Sequence, residues 1–136
     1  MRKLIPIIIL SLITLVSPSC RRASHNGKID GFWKITEIAY TPQEDRGENI
    51  VYPEDLFICV NLELLQLANP DTDITGILSC HLDEDRISVE FPTNPTEQKL
   101  YGYGFAGNPA NLDILTLDSK HLVLRSSAAT ITCRRF

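Results

Sequence analysis

No stretch of this 136-residue chain is apolar for long enough to cross a bilayer as a helix. The longest, Leu4 to Val16 (LIPIIILSLITLV), falls short of the ~20 residues that such a helix needs. Positive charge is also scarce, with 13 Lys and Arg against 17 Asp and Glu and a formal net charge of −4. Binding a phosphate backbone requires clustered Lys and Arg, so nucleic acid is excluded as a partner. The sequence lacks the G-x-S-x-G elbow, the H-E-x-x-H zinc motif and any C-x-x-C pair. His25 lies in a polar N-terminal stretch and His121 in a late apolar run, far apart in the chain. Carboxylate pairs occur, but without the burial that would split their pKa values. An enzyme is therefore not expected, and no catalytic residue, metal site or cofactor is assigned.

What is present begins at the N-terminus. Arg2 and Lys3 precede the apolar stretch, whose length suits the core of a secretory signal, roughly 7–15 residues. Ser17, Pro18 and Ser19 then lead to Cys20. This order resembles the lipobox of bacterial lipoproteins, where a peptidase cuts before a cysteine that carries diacylglycerol. The resemblance implies a signal peptide over residues 1–19, lipid attachment at Cys20 and residence in the bacterial cell envelope. There the acyl chains would hold the protein in the outer membrane, facing the periplasm. Plain secretion, with Cys20 beside an ordinary cleavage site, is the alternative. The difference is large, because one chain binds only marginally, at about 0.8 kcal/mol per buried CH₂, whereas two or three retain a protein.

Cleavage before Cys20 removes Arg2 and Lys3 and no acidic residue, which moves the net charge from −4 to −6. One domain's worth of chain remains, enough for a modest core. Arg21 and Arg22 adjoin the lipid-bearing position and are placed to touch anionic head groups. An exported chain meets an oxidising compartment. Cys59, Cys80 and Cys133 are then left over, so at most one disulfide can form, and no spacing singles out a pair.

Residues 20–30 read as the lipidated cysteine and a short polar tether, and residues 31–136 as one all-β domain. Residues 31–40 (GFWKITEIAY) are aromatic and β-branched; residues 43–55 are polar, with Gly47 and Pro53, and read as a loop. In DLFICVNLELLQL, Leu56, Ile58, Val60, Leu62 and Leu64 share one parity, the mark of a half-buried strand. Glu63 to Gln66 are good helix formers, which keeps a helix over 56–68 as the alternative. Asn69-Pro70-Asp71 is a turn, and ITGILSCHL and RISVEF flank Asp83-Glu84-Asp85 as a hairpin. Tyr101 to Ala110 read as a Gly-rich irregular loop. Three short strands close the chain, NLDILTL, KHLVLRS and ATITCRRF. Even spacing and no clear helical stretch predict an antiparallel up-and-down meander of about 6–8 strands, which closes into a small barrel to hide its edges.

Three segments point to a known family. Asp30-Gly31-Phe32-Trp33-Lys34-Ile35 is similar to the G-x-W opening strand of calycin-type barrels. The run Leu62 to Leu67 follows on an early strand, and Leu112 to Phe136 ends the chain in Arg134-Arg135-Phe136. In this order and spacing the chain resembles the Bacteroidetes lipocalin-like lipoproteins, a family of uncharacterised function. The resemblance implies a lipocalin-like barrel closed at one end by Trp33 of the Gly31–Trp33 motif, under an arginine from the last strand. Parity leaves open whether Arg134 or Arg135 is that lid. A guanidinium over an indole is worth roughly 0.5–2 kcal/mol.

Two further clusters carry less. Gly102-Tyr103-Gly104-Phe105-Ala106-Gly107 spells G-x-G-x-x-G, but that motif holds a pyrophosphate only where a helix opens after it, and Asn108-Pro109 follow instead. Tyr101, Tyr103 and Phe105 are the candidates to line an open barrel mouth or to meet a partner. Cys80 and His81 are adjacent in a strand and point to opposite faces, which excludes a shared metal ion. Two functions follow. The first is a membrane-anchored, non-catalytic binding module for a small apolar ligand. The alternative is an envelope protein with a filled barrel that acts as a structural or protein-interaction lipoprotein.

Overall fold

Alternating residues give most strands one apolar face, and the chain buries those faces by rolling its sheet into a ring. The computed structural model describes residues 26–42, 47 and 49–136. The signal peptide read over 1–19, the attachment point Cys20 and tether residues 21–25 lie outside them. Among the described residues nine antiparallel strands follow in order: β1 (Gly31–Tyr40), β2 (Asn49–Val51), β3 (Phe57–Asn61), β4 (Leu64–Ala68), β5 (Asp73–His81), β6 (Arg86–Glu90), β7 (Ala110–Leu117), β8 (His121–Arg125) and β9 (Ala129–Arg135). From β3 onward each strand pairs with its successor, and β9 returns to pair with β1. Thus β1 and β3–β9 close an eight-stranded barrel. All of its strands lie within residues 31–135, so the chain from residue 20 onward retains the complete ring.

β2 is the ninth strand, formed within the segment read as loop. It pairs with Ile38–Tyr40 of β1, while β3 pairs with Gly31–Lys34 along the same edge. The Ile35 N–H donates to the Leu56 carbonyl (2.9 Å) where β3 takes over from β2. The segment read as a single alternating strand from Leu56 onward is a hairpin. β3 and β4 pair from Asn61 with Leu64 to Phe57 with Ala68, around a turn at Leu62 and Glu63. Leu62 sits at φ 55, and neither of the two central turn residues is Gly or Asn, although Asn61 precedes them. Ile58 and Val60 face in before the turn and Leu65 and Leu67 after it, which leaves Leu62 and Leu64 exposed.

Parity also changes within strands. Trp33 and Ile35 point in, a bulge falls between Ile35 and Glu37, and Ile38 and Tyr40 then point in. An extra residue on one strand bends it and turns its faces over, as the curvature of a small barrel requires. β7 has a second bulge between Ile114 and Thr116. Residues 26–30, within the span read as tether, pack on the barrel through a 3₁₀ turn (Gly27–Ile29) whose Ile29 is fully buried. A second 3₁₀ turn (Leu82–Glu84) joins β5 to β6. Between β6 and β7 a five-residue helix, α1 (Glu97–Tyr101), interrupts the expected irregular stretch; the Thr96 hydroxyl caps it by accepting from the Lys99 N–H.

The interior is filled by apolar side chains. Gly76 faces inward on β5, and a Cβ there would run into the Val89 side chain and lie 2.9 Å from Phe91. Cys59, Cys80 and Cys133 are free thiols, Cys133 buried and the other two partly so. Burial pushes the Cys133 thiol up from 9.0 to about 12. Burial likewise raises Tyr40, helped by Tyr101, and Tyr103.

Two outcomes follow. Gly76→Ala should destabilise the barrel by roughly 1–3 kcal/mol in urea unfolding, although alanine normally improves on glycine in a strand. The unfolded Cys133 thiol ionises near pH 9.0 and the folded one only near about 12. Because its folded pKa is the higher one, stability is complete below pH 9 and falls as pH rises toward 12, by up to ~4 kcal/mol from this thiol. Tyr40 and Tyr103 steepen the loss above pH 10. Denaturant midpoints between pH 8 and 12 check this, and Cys133→Ala should flatten the curve.

Candidate functional site

The two ends of the barrel are built differently. At the end where the chain enters, Trp33 is fully buried and its indole Nε1–H donates to the Ile29 carbonyl (2.8 Å). The Arg135 guanidinium carbon lies 4.1 Å from the Trp33 ring centroid. Its Nη1 donates to the Asp30 carbonyl (2.6 Å), Nη2 to the Lys28 carbonyl (2.7 Å) and Nε to the Ser119 carbonyl (3.1 Å). One planar fork therefore ties the N-terminal turn, the β7–β8 turn and the last strand over a single indole. Gly31 makes room: its φ is +136, and a Cβ there would clash with Nη1 of Arg135. Arg134 points outward, in register with Lys34 on one side and His121 on the other. Arg135 shares the inward parity of buried Cys133, so it, and not Arg134, covers the indole.

Asn26 locks this closure, a role that sequence reading misses. Its side-chain Nδ2 donates to Asp30 Oδ1 (2.7 Å) and to the Leu62 carbonyl (2.6 Å). It thereby joins the 3₁₀ turn to the β3–β4 turn. A polar residue in a polar stretch gives no signal for that contact.

The opposite end would be an open mouth, but the connection from β6 to β7 fills it. Leu100, Tyr103 and Phe105 are buried there, and the Phe105 ring stands 6.2 Å from Phe91 at 64°. Backbone and side-chain bonds hold the plug. The Tyr40 hydroxyl donates to the Tyr101 carbonyl (2.7 Å), the Ser126 hydroxyl to the Gly104 carbonyl (2.6 Å) and Asn69 Nδ2 to the Tyr103 hydroxyl (3.1 Å). Asn108 brackets Phe91, accepting from its N–H and donating to its carbonyl, both at 2.9 Å. Gly104 has φ +80, and a Cβ there would lie 2.7 Å from Ile131. The glycine spacing of 102–107 thus serves close approach of a backbone to the core. Helix α1 precedes that glycine run, so the run opens no helix N-terminus.

Of the residues proposed to line a mouth, Tyr103 and Phe105 occupy it, and Tyr101 stays exposed with its ring 4.6 Å from Tyr40. A shallow groove of about 390 Å³ remains outside the plug, lined by Glu97, Gln98, Tyr101, Phe105, Ala106 and Gly107. A larger, mostly polar hollow of about 720 Å³ lies at the rim of the closed end beside Cys80, His81, Asp83 and Glu84. Among the described residues no three His, Cys, Asp or Glu side chains gather as metal ligands. Cys80 packs against the core and His81 is exposed on the outer face.

Comparison with known proteins agrees with this architecture. A family model described as a lipocalin-like domain matches residues 12–136. The chain is similar to a lipocalin-like protein from Bacteroides uniformis, at 18% identity and a TM-score of 0.63, over 81% of this chain and 100% of that one. It is also similar to an uncharacterized protein from Bacteroides eggerthii, at 14% identity and a TM-score of 0.61, over 79% and 98% of the two chains. At these identities the likeness is one of fold. No curated protein matches the chain.

Removing Arg135 deletes a cation–π contact and three charge-assisted hydrogen bonds to carbonyls. Arg135→Ala should therefore cost about 2–4 kcal/mol in chemical denaturation. Arg134→Ala, on the solvated face, should change stability by less than about 0.5 kcal/mol.

Proposed function

The chain belongs to the lipocalin-like domain family, and from that premise we propose that it is an exported, lipid-anchored, non-catalytic module of the bacterial cell envelope. Its barrel is filled by its own side chains, and it acts through its outer surface and loops on an envelope protein. The observation that carries this reading is the burial of Leu100, Tyr103 and Phe105 in the mouth. Each such side chain contributes about 1.5–3 kcal/mol by leaving water, so withdrawing the plug costs roughly 5–9 kcal/mol. That is comparable to the whole stability of a small domain, ~5–15 kcal/mol. A drug-sized apolar ligand returns about 0.3 kcal/mol per heavy atom, or roughly 7–8 kcal/mol for 25 atoms, which leaves almost nothing as net affinity. Export and anchoring are supported by the basic–apolar–Cys20 order of the N-terminus. Facing the periplasm from the outer membrane is the setting this implies.

A second reading, a binding module for a small apolar ligand, is favoured by the fold and by the groove beside Tyr101 and Phe105. In that case the ligand would wedge under α1 and take over the place of Phe105. Lipocalin-type barrels of eight strands can enclose one small ligand or be filled, so the fold alone does not choose.

Three measurements test the proposal. Palmitate labelling in cells should be lost in Cys20→Ala; label retained on that variant rules the anchor out. Native mass spectrometry of the purified protein should show a ligand-free mass, and a co-purifying apolar molecule would favour the second reading. A photo-crosslinker at position 101 or 52 should capture one recurrent envelope protein, and the absence of any adduct from both positions counts against the interaction role.

A further inference from the structure

The outer face of a solvated barrel should be polar, yet three phenylalanines meet on it. Phe32 of β1, Phe57 of β3 and Phe136 after β9 pack with ring centroids 5.1–5.5 Å apart. The Phe136 N–H donates to the Phe32 carbonyl (2.9 Å), which fixes the chain end against β1. Phe32 remains 39% exposed and Phe136 69%. Such clusters on the outside of a small protein mark contact surfaces.

Its surroundings say what kind of contact. Lys34 lies in register with Phe57 on one side and with Arg134 on the other, so two cations border the aromatic patch. Among the described residues, neither takes part in an ion pair. Lys28, also exposed, projects from the 3₁₀ turn at the same end. This gathering stands out in a chain whose form from Cys20 onward carries net charge −6. Aromatic rings beside Lys and Arg are the composition that favours the boundary between head groups and acyl chains.

Position narrows it further. Only residues 21–25 separate Cys20 from Asn26, where the chain joins the closed end. At 3.3–3.6 Å per residue, that length lets the closed end stand no more than about 20 Å from an acylated Cys20. Phe32 is the second residue of β1, at this same end. We propose that the Phe32–Phe57–Phe136 patch is a membrane-docking face that rests in the interface of an anionic bilayer, with Lys34 and Arg134 against lipid phosphates. This assignment uses the reading of Cys20 as the anchor, and it adds a defined orientation to it. The plugged mouth, at the opposite end of the barrel, then lies away from the bilayer.

The test uses the lipidated protein in vesicles of phosphatidylethanolamine and phosphatidylglycerol with brominated acyl chains. A tryptophan is introduced by Phe136→Trp or, some six strand residues away, by Tyr52→Trp, with the Trp33 signal of the parent subtracted. Phe136→Trp should shift to the blue and be quenched several-fold more than Tyr52→Trp. Equal quenching, or stronger quenching at 52, overturns the proposal while leaving the anchor intact. In parallel, the unlipidated chain from residue 20, with Cys20→Ser, should co-sediment with phosphatidylglycerol-containing vesicles. Phe32→Ser/Phe136→Ser and Lys34→Glu/Arg134→Glu, each checked by circular dichroism, should weaken that binding about tenfold or more. Binding unaffected by either pair overturns the proposal. If palmitate labelling fails but patch-dependent sedimentation persists, the docking face stands and the anchor falls. A Phe136→Trp signal shielded in native envelopes but not in protein-free vesicles assigns the patch to a protein partner and overturns the lipid assignment.

Discussion

The pairing of β1 with β9 is the constraint on which the rest depends. Without it the sheet would expose two rows of unpaired N–H and C=O groups, and its apolar face would have nothing to pack against. With it, register becomes consequential at both ends of the barrel. Trp33 stands opposite Arg135 at one end and Tyr40 opposite Ala129 at the other. A slip of one residue would turn Arg135 outward and Cys133 with it, and would leave the indole uncovered. The bulge after Ile35 is part of the same solution, because it lets one strand keep Trp33 at the floor and Tyr40 beneath the plug.

A ring this small has little room once its inward side chains are in place. The chain uses the remaining opening for the β6–β7 connection, and it satisfies that connection's polar groups with Tyr40, Asn69, Asn108 and Ser126. Buried polar atoms in a core are costly unless paired, and among the described residues no buried side-chain nitrogen or oxygen lacks a partner. A barrel so completed has its chemistry on the outside. That is why the proposed roles concern surfaces: loops around the plugged mouth for a protein, and the aromatic patch at the closed end for lipid.

Much of the architecture was legible from residue alternation. The hairpin around Asp83–Asp85 and the last three strands lie where the period-2 pattern puts them, since inward side chains alternate along each up to the bulge late in β7, and polar residues stand at the turns. The β3–β4 reversal was not legible, because Leu62 and Glu63 carry no turn chemistry and the apolar parity runs straight through them. β2 was hidden by its polar composition: all three of its residues are exposed, so it has no buried face to betray it. Helix α1 is too short for a helical period to register. At the sites, Gly31 and Trp33 could be singled out, while Asn26 and Ser126 could not, because a polar residue in a polar segment looks the same whether it is solvated or locking a turn.

By itself, the sequence determined the class of structure: alternating short apolar runs, with turns between them, can bury their faces only as an antiparallel sheet. It also determined the scarcity of catalytic groups and the signal-like order that ends at Cys20. Tertiary structure alone decided which arginine covers the indole, that Tyr103 and Phe105 fill the mouth instead of lining it, and that three phenylalanines distant in sequence form one patch. The physical reason is common to all three. Which side of a strand a residue occupies depends on bulges and pairing register, and those are set by contacts between segments that lie up to a hundred residues apart.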